Sequence, residues 1–122
     1  MIVSRCQDIQ EFKDFHKKYA NERIPYAESI LRNWNYHFCF YDEETLELLG
    51  CIYLEDEEGK IMLSGFSKPK QIKKVLEAID FVSTFMAQDV LYSRTDRKNA
   101  KLVLLKAGFE KIDNELFIRK VA

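Results

Sequence analysis

The chain has 122 residues, 47% of them hydrophobic, with 19 basic and 20 acidic side chains that leave a formal charge of -1. That length supports one well-formed core and is short for two ordinary domains, so a single domain over 1–122 is expected. The near-zero charge excludes a global positive field able to recruit nucleic acid or an anionic membrane; any anion site must be local.

Met1-Ile-Val-Ser-Arg lacks the charged start and long apolar core of a signal peptide, and no run approaches the ~20 apolar residues that cross a bilayer. Cys6, Cys39 and Cys51 show no CxxC or Cys/His spacing. They are expected to be buried free thiols in a cytoplasmic protein without a metal site.

Ile2 and Val3 open a short strand, and Asp8 stands as an N-cap before the periodic set Ile9, Phe12, Phe15 and Tyr19, which predicts a helix to about Asn21. Pro25 near a first turn, with Ala27, Ile30, Leu31 and Trp34 at helical spacing, predicts a second, shorter helix. The aromatic run Tyr36 to Tyr41, the segment Leu48 to Glu55 and the segment Lys60 to Phe66 predict three antiparallel strands. Asp42-Glu-Glu-Thr and Asp56-Glu-Glu-Gly59 supply their turns, and Gly65 is a candidate bulge. The period then changes. Ile72, Val75, Leu76, Ile79, Val82 and Met86 mark a long helix beginning around Pro69, followed by a strand Val90 to Ser93. Ala100 to Ala107 forms the last helix, Gly108 its left-handed stop, and Glu115 to Val121 a final strand.

The order β-α-α-β-β-β-α-β-α-β implies an α/β (α+β) fold, a mixed, mostly antiparallel sheet with helices on both faces. From Val90 to Phe109 a strand, a polar turn and an apolar helix end in Lys106, Gly108 and Phe109, with the small Ala100 inside the helix. This unit and the element order resemble the GNAT superfamily of acyl-CoA N-acyltransferases. The resemblance implies that the fourth and fifth strands splay into a V that takes the pantetheine arm of acetyl-CoA, paired with the backbone of Leu63, Ser64, Gly65 and Phe66. It further implies that the pyrophosphate sits at the following loop, Ser67-Lys-Pro-Lys-Gln-Ile-Lys-Lys74. Gln71 and Lys73 replace the family's loop glycines, and Pro69 removes an amide. Lys68, Lys70, Lys73 and Lys74 surround the helix start against its positive dipole end, an arrangement that suits a bound anion as well as a solvated basic turn.

The family's Asn before the last helix falls on Arg97, with Asn99 two positions on. Both are candidate cofactor contacts, and Asn99 reads equally as an N-cap. The family's tyrosine acid falls on Leu104, which cannot act as a general acid. Tyr92 and Ser93 are the replacement donors; the fourth strand, Ile61 to Phe66, lacks a carboxylate, so Glu55 at the end of the preceding strand is the nearest acid to serve as base, although the cluster Glu55 to Glu58 also reads as a solvated turn. His37 could face the cleft or serve the core, and His16 is expected near solvent. Two functions follow: an N-acetyltransferase using acetyl-CoA and an amine, or a GNAT-like binding or assembly module without catalysis. Nucleic-acid binding through Arg94, Arg97, Lys98 and Lys101 ranks third. A C-terminal strand edge would allow a homodimer.

Overall fold

The structure, a computed structural model, describes residues 1–20, 36–86 and 89–120. Strand β1 (Ile2–Arg5) leads into helix α1 (Ile9–Tyr19), whose cap is Asp8: its carboxylate accepts from the amides of Gln10 and Glu11. The predicted helix around Ala27 to Trp34 lies outside the described residues. A meander follows, β2 (His37–Tyr41), β3 (Leu48–Glu57) and β4 (Lys60–Ser67), then α2 (Ile72–Phe85), β5 (Val90–Arg94), α3 (Lys98–Lys106), β6 (Glu110–Lys111) and β7 (Leu116–Lys120). The strands make one sheet in the order β1-β2-β3-β4-β5-β7-β6. Every neighbouring pair is antiparallel except β4 and β5.

Alternation along the strands builds two cores. Phe38, Phe40, Ile52, Leu54, Leu63 and Leu91 point to the face covered by α2 and α3, through Ala78, Ile79, Val82 and Leu104. Cys39, Cys51, Tyr53 and Phe66 point to the other face, against Phe12 and Phe15 of α1. His37 joins this second side, fully buried and stacked on Tyr53 with ring centroids 5.5 Å apart, so it is a core residue. His16 is half-buried, its ring edge-on to Phe66 at 5.1 Å.

Several expectations are corrected. The long hairpin β3–β4 closes on Glu58 and Gly59, both with positive φ (53° and 84°), so Asp56 and Glu57 belong to the strand. Such paired left-handed residues match the twist of the strands they join. Gly65 is no bulge: β3 and β4 stay in register from Gly50↔Ser67 to Glu57↔Lys60, and the irregularity falls at Phe40/Tyr41 instead. Gly65 serves a close approach, since a Cβ there would stand 2.8 Å from the carbonyl oxygen of Cys51.

Cys6 and Cys39 are not free thiols. They form a disulfide, because the antiparallel pairing of β1 with β2 makes them diagonal neighbours on one face, with Cα atoms 5.4 Å apart, while Cys51 stays free and buried. Asn99 does not cap α3; Arg97 occupies that position, and Asn99 lies inside the helix.

The stop after α3 is as expected. Gly108 has φ 88°, and the amides of Phe109 and Gly108 donate to the carbonyls of Leu104 and Leu105 at 2.9 and 3.2 Å. This double closure satisfies the end of the helix and turns Phe109 into the core. Among the described residues no helix is long and apolar enough to cross a membrane.

Candidate functional site

The sheet opens between β4 and β5. These parallel strands share one register pair, Met62↔Tyr92, although β4 runs on to Ser67. Residues of the helix connecting them and of the strand–helix turn after β5 line a cleft of about 1550 Å³. At its vertex the hydroxyl of Ser93 donates to the carbonyl of Leu63 at 2.8 Å, with both residues buried. Beyond that point Ser64, Gly65, Phe66 and Ser67 line the opening, with no described strand paired to the edge that faces β5.

The loop into α2 forms one end of the cleft. α2 starts at Ile72, later than the expected Pro69, because Lys70 adopts a left-handed conformation with φ 64° that interrupts a helix. Gln71 holds the N-cap position without a side-chain cap bond, and the first helical bond runs from the amide of Val75 to its carbonyl. The amides of Ile72, Lys73 and Lys74 therefore precede the hydrogen-bonded turns, at the positive end of the dipole. Lys68, Lys70 and Gln71 line the cleft, as do Arg97 and Asn99 from the facing helix start.

The four lysines do not act alike. Lys68 pairs with Glu47 and lies over the ring of Tyr19 at 5.8 Å. Lys73 is exposed and outside the cleft lining, and so is the half-buried Lys74, which binds Asp42 at 2.9 Å across the turn between β2 and β3. This pair is electrostatically tight. Hydrogen bonds from Lys74, then from the amides of Thr45 and Glu44, hold the Asp42 carboxyl well below the usual carboxylate range, and Asp42 raises Lys74 in turn.

The candidate donors separate similarly. Tyr92 is half-buried with Lys60 over its ring at 5.9 Å, and it is not among the residues lining the cleft. Ser93 is at the cleft, but its proton is engaged by Leu63. Glu55 lines the cleft, opposite Met62 at the closed end of the opening.

Tyr53, which the sequence reading passed over, also lines the cleft. It lies two residues before Glu55 on the same face of β3, opposite Ser64. Burial pushes its phenol up to about 12; a hydrogen bond with Ser64 opposes the rise, and the Glu55 carboxylate adds to it. Period-2 alternation from Cys51 through Tyr53 to Glu55 was the signal that would have placed it. The structure also brings Glu57, Arg94, Asp96 and Glu115 to the cleft, the first two as an ion pair at 3.6 Å. Leu104 is buried at the cleft wall as part of the core.

No protein-family model and no curated protein matches this sequence. Solved structures do match in shape. A spermidine N-acetyltransferase chimera of Vibrio cholerae is 14% identical, with a TM-score of 0.69 over 98% of this chain and 96% of that one. A Bacillus subtilis acetyltransferase in complex with CoA is 12% identical, with a TM-score of 0.68 over 98% of each chain. A GNAT-family acetyltransferase of Listeria monocytogenes is 12% identical, with a TM-score of 0.64 over 98% of this chain and 94% of that one. At such identities the likeness concerns architecture, and it extends over nearly the whole length: the chain has the GNAT fold.

Proposed function

We propose that this chain, as a single domain, binds acetyl-CoA in the cleft and transfers the acetyl group to an amine. One observation carries the reading: β4 and β5 pair once, at Met62↔Tyr92, and then part around an open strand edge. An extended ligand can add to such an edge through main-chain groups, with little demand on side-chain type. Ser64 to Ser67 supply those groups along the part of β4 that lines the cleft. The Bacillus subtilis neighbour was solved with CoA, which is the same ligand class.

The basic end suits phosphates. Lys68, Lys70 and Arg97 provide positive charge, and the first amides of α2 provide donors at a helix N-terminus, in place of a glycine-built nest.

At the other end Glu55, Tyr53 and Ser64 form a proton-handling group on one sheet face. Glu55 takes the proton of the incoming amine, directly or through water. Tyr53, a phenol at the cleft that is protonated at neutral pH, donates to the departing sulfur, a role closed to Leu104. The cytoplasmic compartment expected from the sequence is part of this reading.

A second reading, a binding or assembly module without catalysis, is favoured by Leu104, a buried hydrocarbon where the resemblance calls for a phenol. Thiol release from acetyl-CoA in the presence of a panel of primary amines decides between them. The transferase reading expects turnover that falls by about 10²–10⁴ in Glu55→Gln. Acetyl-CoA binding without thiol release from any amine would favour the module.

A further inference from the structure

The buried face under α1 holds a second chemical group, whose Cys51 also borders the cleft. Cys6 follows β1, Cys39 lies in β2, and Cys51 sits directly opposite Cys39 in β3. All three are buried, at 4%, 1% and 0% exposure. Their sulfur atoms lie within 4.8 Å of one another, with Cys39 and Cys51 Sγ 3.8 Å apart. Among the described residues they are the one group of three or more potential metal ligands drawn this close together.

We propose that, once the Cys6–Cys39 disulfide is reduced, these three sulfurs form a site for monovalent copper. Metal–sulfur bonds of about 2.3 Å separate two sulfurs on one ion by roughly 3.8–4.0 Å, which is the spacing Cys39 and Cys51 already have. An all-sulfur donor set selects soft ions, copper(I) and zinc foremost. No His, Asp or Glu belongs to the group, so among the described residues it offers three donors. Three suit copper(I), whereas structural zinc takes four. Phe12, Phe15, Tyr53 and Phe66 pack around the group and the three cysteines are buried, which favours an ion that trades its hydration for sulfur.

The redox balance is explicit. A dithiol reductant gives two electrons and two protons to the Cys6–Cys39 bond and becomes a disulfide itself. The three cysteine thiols then release protons as their sulfurs bind the ion. In the disulfide form Cys6 and Cys39 are bonded to each other, and Cys51 alone cannot complete the site.

The test is an anaerobic competition in which a chromophoric chelator supplies copper(I) to the full chain. The reduced chain should withdraw one copper per molecule, the disulfide form none, and Cys51→Ser should bind about 100-fold more weakly than the reduced wild type. Failure of the reduced chain to take copper, equal uptake by the disulfide form, or displacement of bound copper by equimolar zinc would overturn the proposal, as would wild-type affinity in Cys51→Ser. Should Cys51→Ser not fold, as judged by circular dichroism, the comparison of the two wild-type redox forms decides alone.

Discussion

The hydroxyl of Ser93 donates a 2.8 Å hydrogen bond to the carbonyl of Leu63 where β5 leaves β4. Loss of that bond would leave the carbonyl of a buried residue without its side-chain donor. Ser93→Ala removes the donor and keeps the acceptor, in a place where both residues are buried. A loss of about 1–3 kcal/mol is expected in urea unfolding. Unchanged stability would mean that the vertex is held elsewhere.

The lysines around α2 divide into two pairs. Lys68 and Lys70 line the cleft, while Lys73 and Lys74 do not. Lys68→Ala with Lys70→Ala should weaken acetyl-CoA binding at least about ten-fold, whereas Lys73→Ala with Lys74→Ala should leave it near the wild-type value. Equal effects from both pairs would point to a diffuse basic field, and loss from the second pair alone would contradict the placement of the phosphates.

Asp42 titrates below its ordinary value, chiefly through its hydrogen bond with Lys74. Since the folded state holds the proton less tightly than the unfolded state, this carboxylate contributes stability above the unfolded value of about 3.9. The contribution is lost as pH falls through the lower folded value. Asp42→Asn should therefore be less stable than wild type at neutral pH, with the gap narrowing on acidification below about pH 4. Stability curves of the two proteins that run parallel down to pH 2 would contradict the assignment.

Gly50 faces the ring of Phe40, and a Cβ on it would stand 2.2 Å from Phe40 Cζ. That ring is 1% exposed and packed in the core under α2, so it has little room to move. Gly50→Ala should cost about 1–3 kcal/mol by overpacking, read from denaturant unfolding. A neutral result would show that the ring swings aside freely.

The fold was legible where local rules act alone. Asp8 as a cap, the 3.6-residue period from Ile72 to Val82, and Gly108 with Phe109 as a helix stop each depend on neighbours within a few positions. What depended on strand pairing was not legible. The Cys6–Cys39 bridge arises because antiparallel pairing brings together residues 33 apart, which a search for short cysteine spacings does not see. Gly65 reads as a bulge from composition, but its role is set by the Cys51 carbonyl on the next strand.

The cleft was expected from the family resemblance, while the allocation of its side chains required the strand register and the turn geometry. Lys74 reaches back to Asp42 in a distant turn, Ser93 binds the backbone of Leu63, and Tyr53 emerges opposite Ser64 through the register of β3 with β4.

An acyl-CoA seated in the opening between β4 and β5 should bind in solution, and calorimetric titration of acetyl-CoA into the purified chain reads that binding. Saturable uptake of one molecule per chain is expected, weakened when Lys68 and Lys70 are replaced together. Absence of heat up to millimolar acetyl-CoA would contradict it.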